Sequence, residues 1–507
     1  MKTLIDPKAE QSDDTNEGFE DKASSPHLLV RIGQIFIPKH DLQIAYKYIF
    51  GRYRDKLTLT QFFLAYAFRL LRKTGYLEKV RDSYIKGWTL KNPTYFDQDI
   101  LNLQSYRIYD TPQIEINPDR VKSINVLVPA FQVETISAGF FGVFQLALFI
   151  ARSGRHVRLV MYENFDFSID RFRDSLKKFS GLETLLDEVE VDYIGERKSP
   201  FQVSADDICV ATVWYSAYVA EAVRKKLNAP HFLYLIQDYE PAFHSAGTHF
   251  TAAHQSYELP HKAIFSTEAL QNYFVAQGLA QGEANVDYVF FNNACSCSPP
   301  KEEIFLQQKV GQTRRLAFYS RPTVDRNMFT LGASALVEAY RRRLFHQHGS
   351  NWEFYGMGIG NVEIYFDDES KLRQLPRMTL KQYQERMSDF DLCLTLMASP
   401  HPSIVPFDLA GSGALVVTNT YLNKTQGYFA AMSENIIACH PEREALINGL
   451  AEGISRVDNL QRRFSGSQMQ YPKTWDETWQ PHHHAWIERW TGPAQNARLP
   501  SPSSEAA

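Results

Sequence analysis

Residues 123–162 run SINVLVPAFQVETISAGFFGVFQLALFIARSGRHVRLVMY, and the order of their parts decides the fold. A β-branched run (123–130) gives way to Gly139, Gly142 and an apolar stretch, and a second β-branched run (156–162) follows Gly154. Strands that alternate with helical segments of this kind build parallel sheets covered by helices on both faces. The apolar stretch from Ile136 to Ala151 holds 16 residues broken by two glycines and a glutamine. That is short of the roughly 18 that suggest a membrane span, so it reads as a buried helix.

The pattern continues in both directions. Further strands are predicted at VEVDYI (189–194), DICVAT (207–212), HFLYLIQ (231–237), AIFST (263–267) and VDYVFF (286–291). After the turn-rich NNACSCSPPKEE (292–303) the cycle restarts with RRLAFYS (314–320), NWEFYGM (351–357), DLCLTLM (391–397), ALVVTN (414–419) and NIIACH (435–440), with helices at 330–345 and 379–388. The expected architecture is α/β: two doubly wound Rossmann-like domains, 121–300 and 301–470, facing a shared cleft. Ligands of open α/β sheets bind beyond the carboxyl ends of the strands. A segment at 471–493 carries tryptophans at 475, 479 and 486 and is expected to be a helix anchored on the folded surface. A helical extension is expected over 27–120, with disordered tails at 1–26 and 494–507, where polar residues leave little to bury.

Composition narrows the function. Hydrophobic residues make up 44% and charged residues 22%, an ordinary globular balance. Lys and Arg number 54 against 58 Asp and Glu, so the formal charge of -4 gives no reason to expect nucleic acid as a partner. Five cysteines are too few and too odd for a disulfide framework, and the acidic N-terminal stretch lacks the pattern of a secretory signal, so the expectation is cytoplasmic. Between about 40 and 90, Phe62, Phe63, Tyr66, Phe68, Leu70 and Leu71 recur at helical spacing beside Arg69, Arg72 and Lys73. Such a stretch packs on a following domain or, alternatively, rests on the inner face of a membrane as a peripheral contact. Oligomeric state is not set by any of these features.

Gly139 and Gly142 precede a helix and let backbone approach a ligand, here the donor side of the cleft; close helix–strand packing is the alternative. Arg321 and Arg326 stand five residues apart after a strand, where two guanidinium groups can neutralise a diphosphate. Gly356 and Gly358 offer a second place for backbone to meet a nucleotide. In SPHPSIVPFDLAGSGALVVTN (399–419), a loop and helix N-terminus can hold phosphate while Asp408 accepts ribose hydroxyls.

These segments, together with YLIQDYEPAF (234–243) and FYSRPTVDRN (318–327), resemble a GT-B glycosyltransferase related to family 4, most closely the WsaF-type bacterial rhamnosyltransferases. The resemblance spans about 120–470. It implies transfer of a hexose, L-rhamnose, from dTDP-rhamnose to a hydroxyl of a growing cell-surface glycan, free or lipid-linked, with retention. It implies that Arg321 and Arg326 stabilise the leaving diphosphate and that no cofactor or metal is needed. It also puts Asp408 on the ribose, one methylene shorter than the family's glutamate. A paired upstream glutamate falls on Pro400, leaving His401 and Ser403 as polar substitutes on the donor side. In the first domain Asp238 and Glu240 become candidates to orient an acceptor hydroxyl, with Trp214, Gln237 and Tyr239 at the acceptor.

Other motifs carry less. Asp97-Gln98-Asp99 and Asp389-Phe390-Asp391 match the D-x-D of metal-dependent transferases, but neither lies in a suitable context. His482-His483-His484 and Cys295-x-Cys297 lack a companion pair at zinc spacing. No Walker pattern and no G-x-S-x-G elbow occurs. Two further readings stay open: a catalytically degenerate glycan- or nucleotide-sugar-binding protein, and a sugar-nucleotide epimerase of the same fold.

Overall fold

The computed structural model describes residues 29–32, 35–38 and 111–494, less short gaps at 134–135, 280–286, 296, 310–312, 350, 359–362, 368–369 and 377. The amphipathic stretch at 40–90 and the Asp97-x-Asp99 motif lie outside the described residues. Of the first 104 residues, a separate unit, the structure describes one antiparallel pair, β1 (Leu29–Ile32) and β2 (Ile35–Pro38).

The second unit, from Ser105, holds two parallel sheets. The first is built from β4 (Ile124–Val128), β5 (Val157–Met161), β6 (Glu190–Tyr193), β8 (Ile208–Ala211), β9 (Phe232–Ile236), β10 (His261–Ser266) and β11 (Tyr288–Phe291) in the order β11-β10-β9-β8-β4-β5-β6. The second holds β12 (Arg314–Tyr319), β13 (Trp352–Met357), β14 (Leu372–Gln374), β15 (Leu392–Leu394), β16 (Leu415–Asn419) and β17 (Ile436–Cys439) in the order β14-β13-β12-β15-β16-β17. All twelve strands expected from the sequence form. Besides β1 and β2, which with β3 (Ile114–Ile116) are strands inside the span 27–120 expected to be helical and so correct that expectation there, three further strands were not expected: β14 at the edge of the second sheet, and the parallel pair β3 and β7 (Phe201–Val203). Each is three residues long, too short to show a period in the sequence.

Burial explains why these runs are strands. Ile124, Val126 and Val128 of β4 pack into one apolar cluster and Leu127 into another, so both sheet faces are covered, and the strand's one polar residue, Asn125, is buried with its side chain bonded to Asp207 and Arg158. In β12, Leu316 and Phe318 face one cluster and Ala317 the other. The helix Ala138–Arg152 is buried from Gly142 to Ile150, and its one polar side chain in that span, Gln145, donates to Gly181 O at 2.8 Å. Among the described residues no helix is long and apolar enough to cross a membrane.

The C-terminal segment forms two short helices, Trp475–Thr478 and Pro481–Thr491, where one was expected, because Trp479 turns extended and Pro481 starts afresh. Both lie on the first sheet's side of the molecule. Trp479 stacks on Phe149 at 4.3 Å, Trp486 Nε1 donates to Asp287 at 3.0 Å, and Lys262 Nζ sits 4.0 Å from the Trp490 ring centre.

In each sheet the strand order reverses once, between β4 and β8 and between β12 and β15. The chain leaves those four strands toward Gly139, Trp214, Arg321 and Ser399, which is where doubly wound sheets open a crevice.

Candidate functional site

The loops after β9, β12, β15 and β16 converge between the two sheets. Asp238, two residues past β9 and 7% exposed, anchors the cluster. Its Oδ1 accepts from Ser399 Oγ, which comes from beyond β15, and from the Tyr239 N–H at 2.9 Å. Its Oδ2 lies 3.9 Å from Arg326 Nε, and the Arg326 guanidinium rests 4.3 Å from the Phe243 ring centre. The Arg326 carbonyl accepts from Ala398 N–H at 2.7 Å, which ties the arginine's loop to the 398–403 loop.

Lys424, beyond β16 and 1% exposed, donates to Met397 O at 2.8 Å. Burial pulls its pKa down to about 7, against the pull of the Asp238 carboxylate. His401 senses the same groups: burial lowers its pKa to about 4, with Asp238 opposing and Lys424 and Arg326 adding to the drop. A second contact between the halves runs from Asn423 Nδ2 to Ala269 O at 2.6 Å.

Glu240 sits beside the cluster and has a different task. Its Oε2 accepts the Trp214 N–H at 2.6 Å, at the first turn of the helix Trp214–Lys226. Burial raises its pKa to about 8 and Asp238 adds to the rise, while the Trp214 bond and Arg326 oppose it, so Glu240 is largely protonated at neutral pH. Of the two acids, Asp238 is the one placed among cations.

Three expected site residues are turned elsewhere. Asp408 is 5% exposed, and its Oδ2 accepts from Tyr383 Oη at 3.1 Å, next to Cys295 and Cys297. Burial lifts its pKa to about 6; the carboxylate is closed off from the cleft, which corrects its assignment to a ribose. Seven consecutive residues, Val405–Gly411, are buried, so the helix has no open face there. Trp214 is 4% exposed, edge-on to Tyr215 and His244 and packed by Ala253, with no free ring face for a sugar. The Tyr239 ring packs on Tyr257, Tyr273 and Phe274. In both aromatics packing takes the ring that was expected to stack on an acceptor.

The glycines divide. A Cβ on Gly139 would meet nothing closer than Gln237 Oε1 at 3.6 Å, and one on Gly142 nothing closer than 3.5 Å, so tight packing does not explain either. Gly356 and Gly358 are demanded by the protein itself. A Cβ on Gly356 would lie 2.4 Å from Gln374 Oε1, and one on Gly358, at φ 135°, 2.5 Å from Ser320 O and 2.8 Å from Arg321 Cγ. Gly358 therefore shapes the loop that carries Arg321, whose Nη1 donates to Tyr319 Oη at 3.2 Å. Gly358→Ala is expected to cost at least about 2 kcal/mol in urea unfolding, whereas Gly139→Ala should leave stability within about 0.5 kcal/mol. Equal stabilities for the two variants would refute the division.

Family models described as the WsaF N-terminal and C-terminal domains match residues 123–268 and 314–451, together more than half of the chain. The chain belongs to the WsaF family. This WsaF-family chain is 31% identical over 261 residues to the O-antigen biosynthesis protein RfbC of Myxococcus xanthus, a match covering 50% of the chain but only 18% of RfbC. Among solved structures, TarM aligns with a TM-score of 0.50 and 11% identity over 74% of the chain and 99% of TarM. Anabaena Alr3699/HepE in complex with UDP-glucose aligns at 0.47 and 14% over 73% and 99%. At such identities the likeness concerns fold alone, and that fold is GT-B.

Ser399 and Lys424 complete the cluster around Asp238 and were missed by the sequence reading. Ser399 stood inside a quoted motif as an unremarked first residue, and Lys424, in NTYLNKT, has no motif signal at all. Among the described residues no three of His, Cys, Asp and Glu gather as metal ligands. His483 is spent on structure, its Nδ1 accepting from Gln480 N–H at 2.9 Å and its Nε2 facing Phe290 O at 2.7 Å. Cys295 and Cys297 are buried thiols whose pKa burial raises.

Proposed function

We propose that this chain is a retaining glycosyltransferase that moves L-rhamnose from dTDP-rhamnose to a hydroxyl of a growing cell-surface glycan. The observation that carries the reading is the meeting of Asp238, Ser399, His401, Arg326 and Lys424 at the crevice of a WsaF-family GT-B fold. The name of the relative RfbC, an O-antigen biosynthesis protein, supports a glycan product. Arg321 and Arg326 lie at the carboxyl end of β12, where planar guanidinium groups can take the charge that develops on a leaving diphosphate. Lys424 is buried behind them beside Asp238, and the scheme relies on the two arginines and calls for no divalent metal.

In the proposed reaction the bond from the anomeric carbon to the diphosphate oxygen breaks while the acceptor oxygen bonds to that carbon on the same face. The acceptor's proton passes to the departing phosphate oxygen. Asp238 holds Arg326 and the 398–403 loop in register for this step, and both halves of the fold position donor and acceptor. An acceptor carried on lipid would bring the chain to the inner face of a membrane.

The test is a thermal-shift panel of dTDP, UDP, GDP and ADP on the wild type and on Arg321→Ala. Binding to the folded state alone at 100-fold over Kd stabilises by about 2.7 kcal/mol, and dTDP is expected to do so in the wild type and not in the variant. Product analysis with dTDP-rhamnose then separates transfer from epimerase-type chemistry. Silence with all four nucleotides would discard the reading in favour of a degenerate binding protein, which the inward-facing Asp408 and the proline at 400 support.

A further inference from the structure

The loop from Ser399 to Ser403 is held by hydrogen bonds that end on an imidazole. Ser399 Oγ donates to Asp238, the His401 N–H donates to Ser399 Oγ at 3.0 Å, and the Ser403 N–H donates to His401 Nδ1 at 2.9 Å. Ser403 adopts φ 64°, a left-handed conformation that costs a residue with a side chain about 1 kcal/mol and is held here by that last bond. A ring nitrogen that accepts a hydrogen bond carries no proton, so neutral His401 is fixed as the Nε2–H tautomer. The ring is half-buried, and its Nε2 has no hydrogen-bond partner among the described residues. Lys424 and Arg326 stand near enough to oppose a second proton, and burial opposes it further. What remains is one neutral N–H, its ring held by the Nδ1 bond, on a loop tied to Asp238 across the crevice.

We infer that His401 is the residue that recognises the transferred sugar, donating a hydrogen bond from Nε2–H to a sugar hydroxyl of the nucleoside-diphosphate donor. This rests on the transferase reading above and adds to it the group that distinguishes a nucleotide sugar from the bare nucleoside diphosphate. The diphosphate already has Arg321 and Arg326 for its charge, to which an uncharged N–H adds little. A hydroxyl is the neutral acceptor such a donor suits, and a site built around one directed hydrogen bond discriminates strongly against ligands that cannot make it.

Calorimetric titration of the full chain with dTDP-rhamnose and with dTDP tests this without turnover. The wild type is expected to bind the sugar nucleotide about tenfold tighter than dTDP. His401→Ala should lose that advantage while its Kd for dTDP stays within about twofold. His401→Gln, whose amide sets an N–H near the Nε2 position, should restore most of it. The pair UDP and UDP-glucose is run in parallel. If only that pair shows the advantage and His401→Ala removes it, the role of His401 stands and the rhamnose assignment falls. An unchanged advantage in His401→Ala, an equal loss for dTDP and dTDP-rhamnose, or a His401→Gln variant no better than alanine would overturn the inference. A wild type that binds no nucleotide defeats the transferase reading before His401 is in question, and this inference with it.

Discussion

Asp238→Ala is expected to lower turnover on the order of 10³-fold while the chain still folds, since the Asp238 carboxylate of one half of the cleft acts on both Arg326 and Lys424 of the other. Three losses coincide. Ser399 Oγ loses its acceptor, Arg326 loses its anion at 3.9 Å, and Lys424 loses the charge that offsets its burial. The unpaired groups should also cost about 1–3 kcal/mol of stability. Asp238→Asn separates hydrogen bonding from charge, because its carbonyl can still accept from Ser399 and from the Tyr239 N–H. The asparagine variant should keep most of the stability yet little of the rate. The Lys424 titration provides a second readout. Asp238 raises that pKa against burial, so its neutralisation must move the value further below about 7 and leave Lys424 uncharged over more of the neutral range. Steady-state rates across pH 6 to 9 for wild type, Asn and Ala decide the matter. Variants within about threefold of wild type would remove Asp238 from the reaction centre.

The fold was far more legible than the site, and particular residues show why. β4 is buried on both faces, so four of its five residues are apolar, and β-branched runs of this kind between helical stretches exposed the parallel framework. Arg326, Asp238 and His401 were within reach because strand ends in such a framework are where ligands bind. Trp214 and Asp408 show the limit. Each follows a strand at the right place, yet rotation about a few bonds decides whether its side chain faces the crevice or the core. Local sequence does not encode the His244 ring that packs against Trp214 or the Tyr383 hydroxyl that captures Asp408. Lys424 was invisible for the complementary reason: a lysine in a polar loop looks solvated, and only the fold buries it on the Met397 carbonyl within reach of the Asp238 charge.

Asp391→Ala is expected to destabilise the second sheet by about 3–5 kcal/mol, the largest stability loss foreseen for this chain. Asp391 is 2% exposed at the start of β15. Its Oδ1 lies 3.0 and 3.1 Å from the two terminal nitrogens of Arg463 and 3.2 Å from Lys309 Nζ, and its Oδ2 accepts the Arg315 N–H at 2.9 Å. Arg463, 1% exposed, also donates to Gly413 O at 2.9 Å and Val457 O at 2.8 Å. Removal of the carboxylate leaves two buried cations, Arg463 and Lys309, without their anion. The cations win over burial and hold the Asp391 pKa below its ordinary value. Its contribution is therefore complete above the unfolded carboxylate value near 4 and fades as pH falls through the lower folded value, so wild type and variant should converge in strong acid. Asp389, by contrast, is half-buried beside Arg386 at 3.8 Å, and Asp389→Ala should change stability by no more than about 0.5 kcal/mol. A metal-chelating D-x-D needs both carboxylates on one ion. Here the intervening Phe390 is fully buried, one acid lies outside, and the other is enclosed by arginine and lysine. Urea unfolding of both variants at pH 7 checks the asymmetry, and equal effects would restore the motif as a pair.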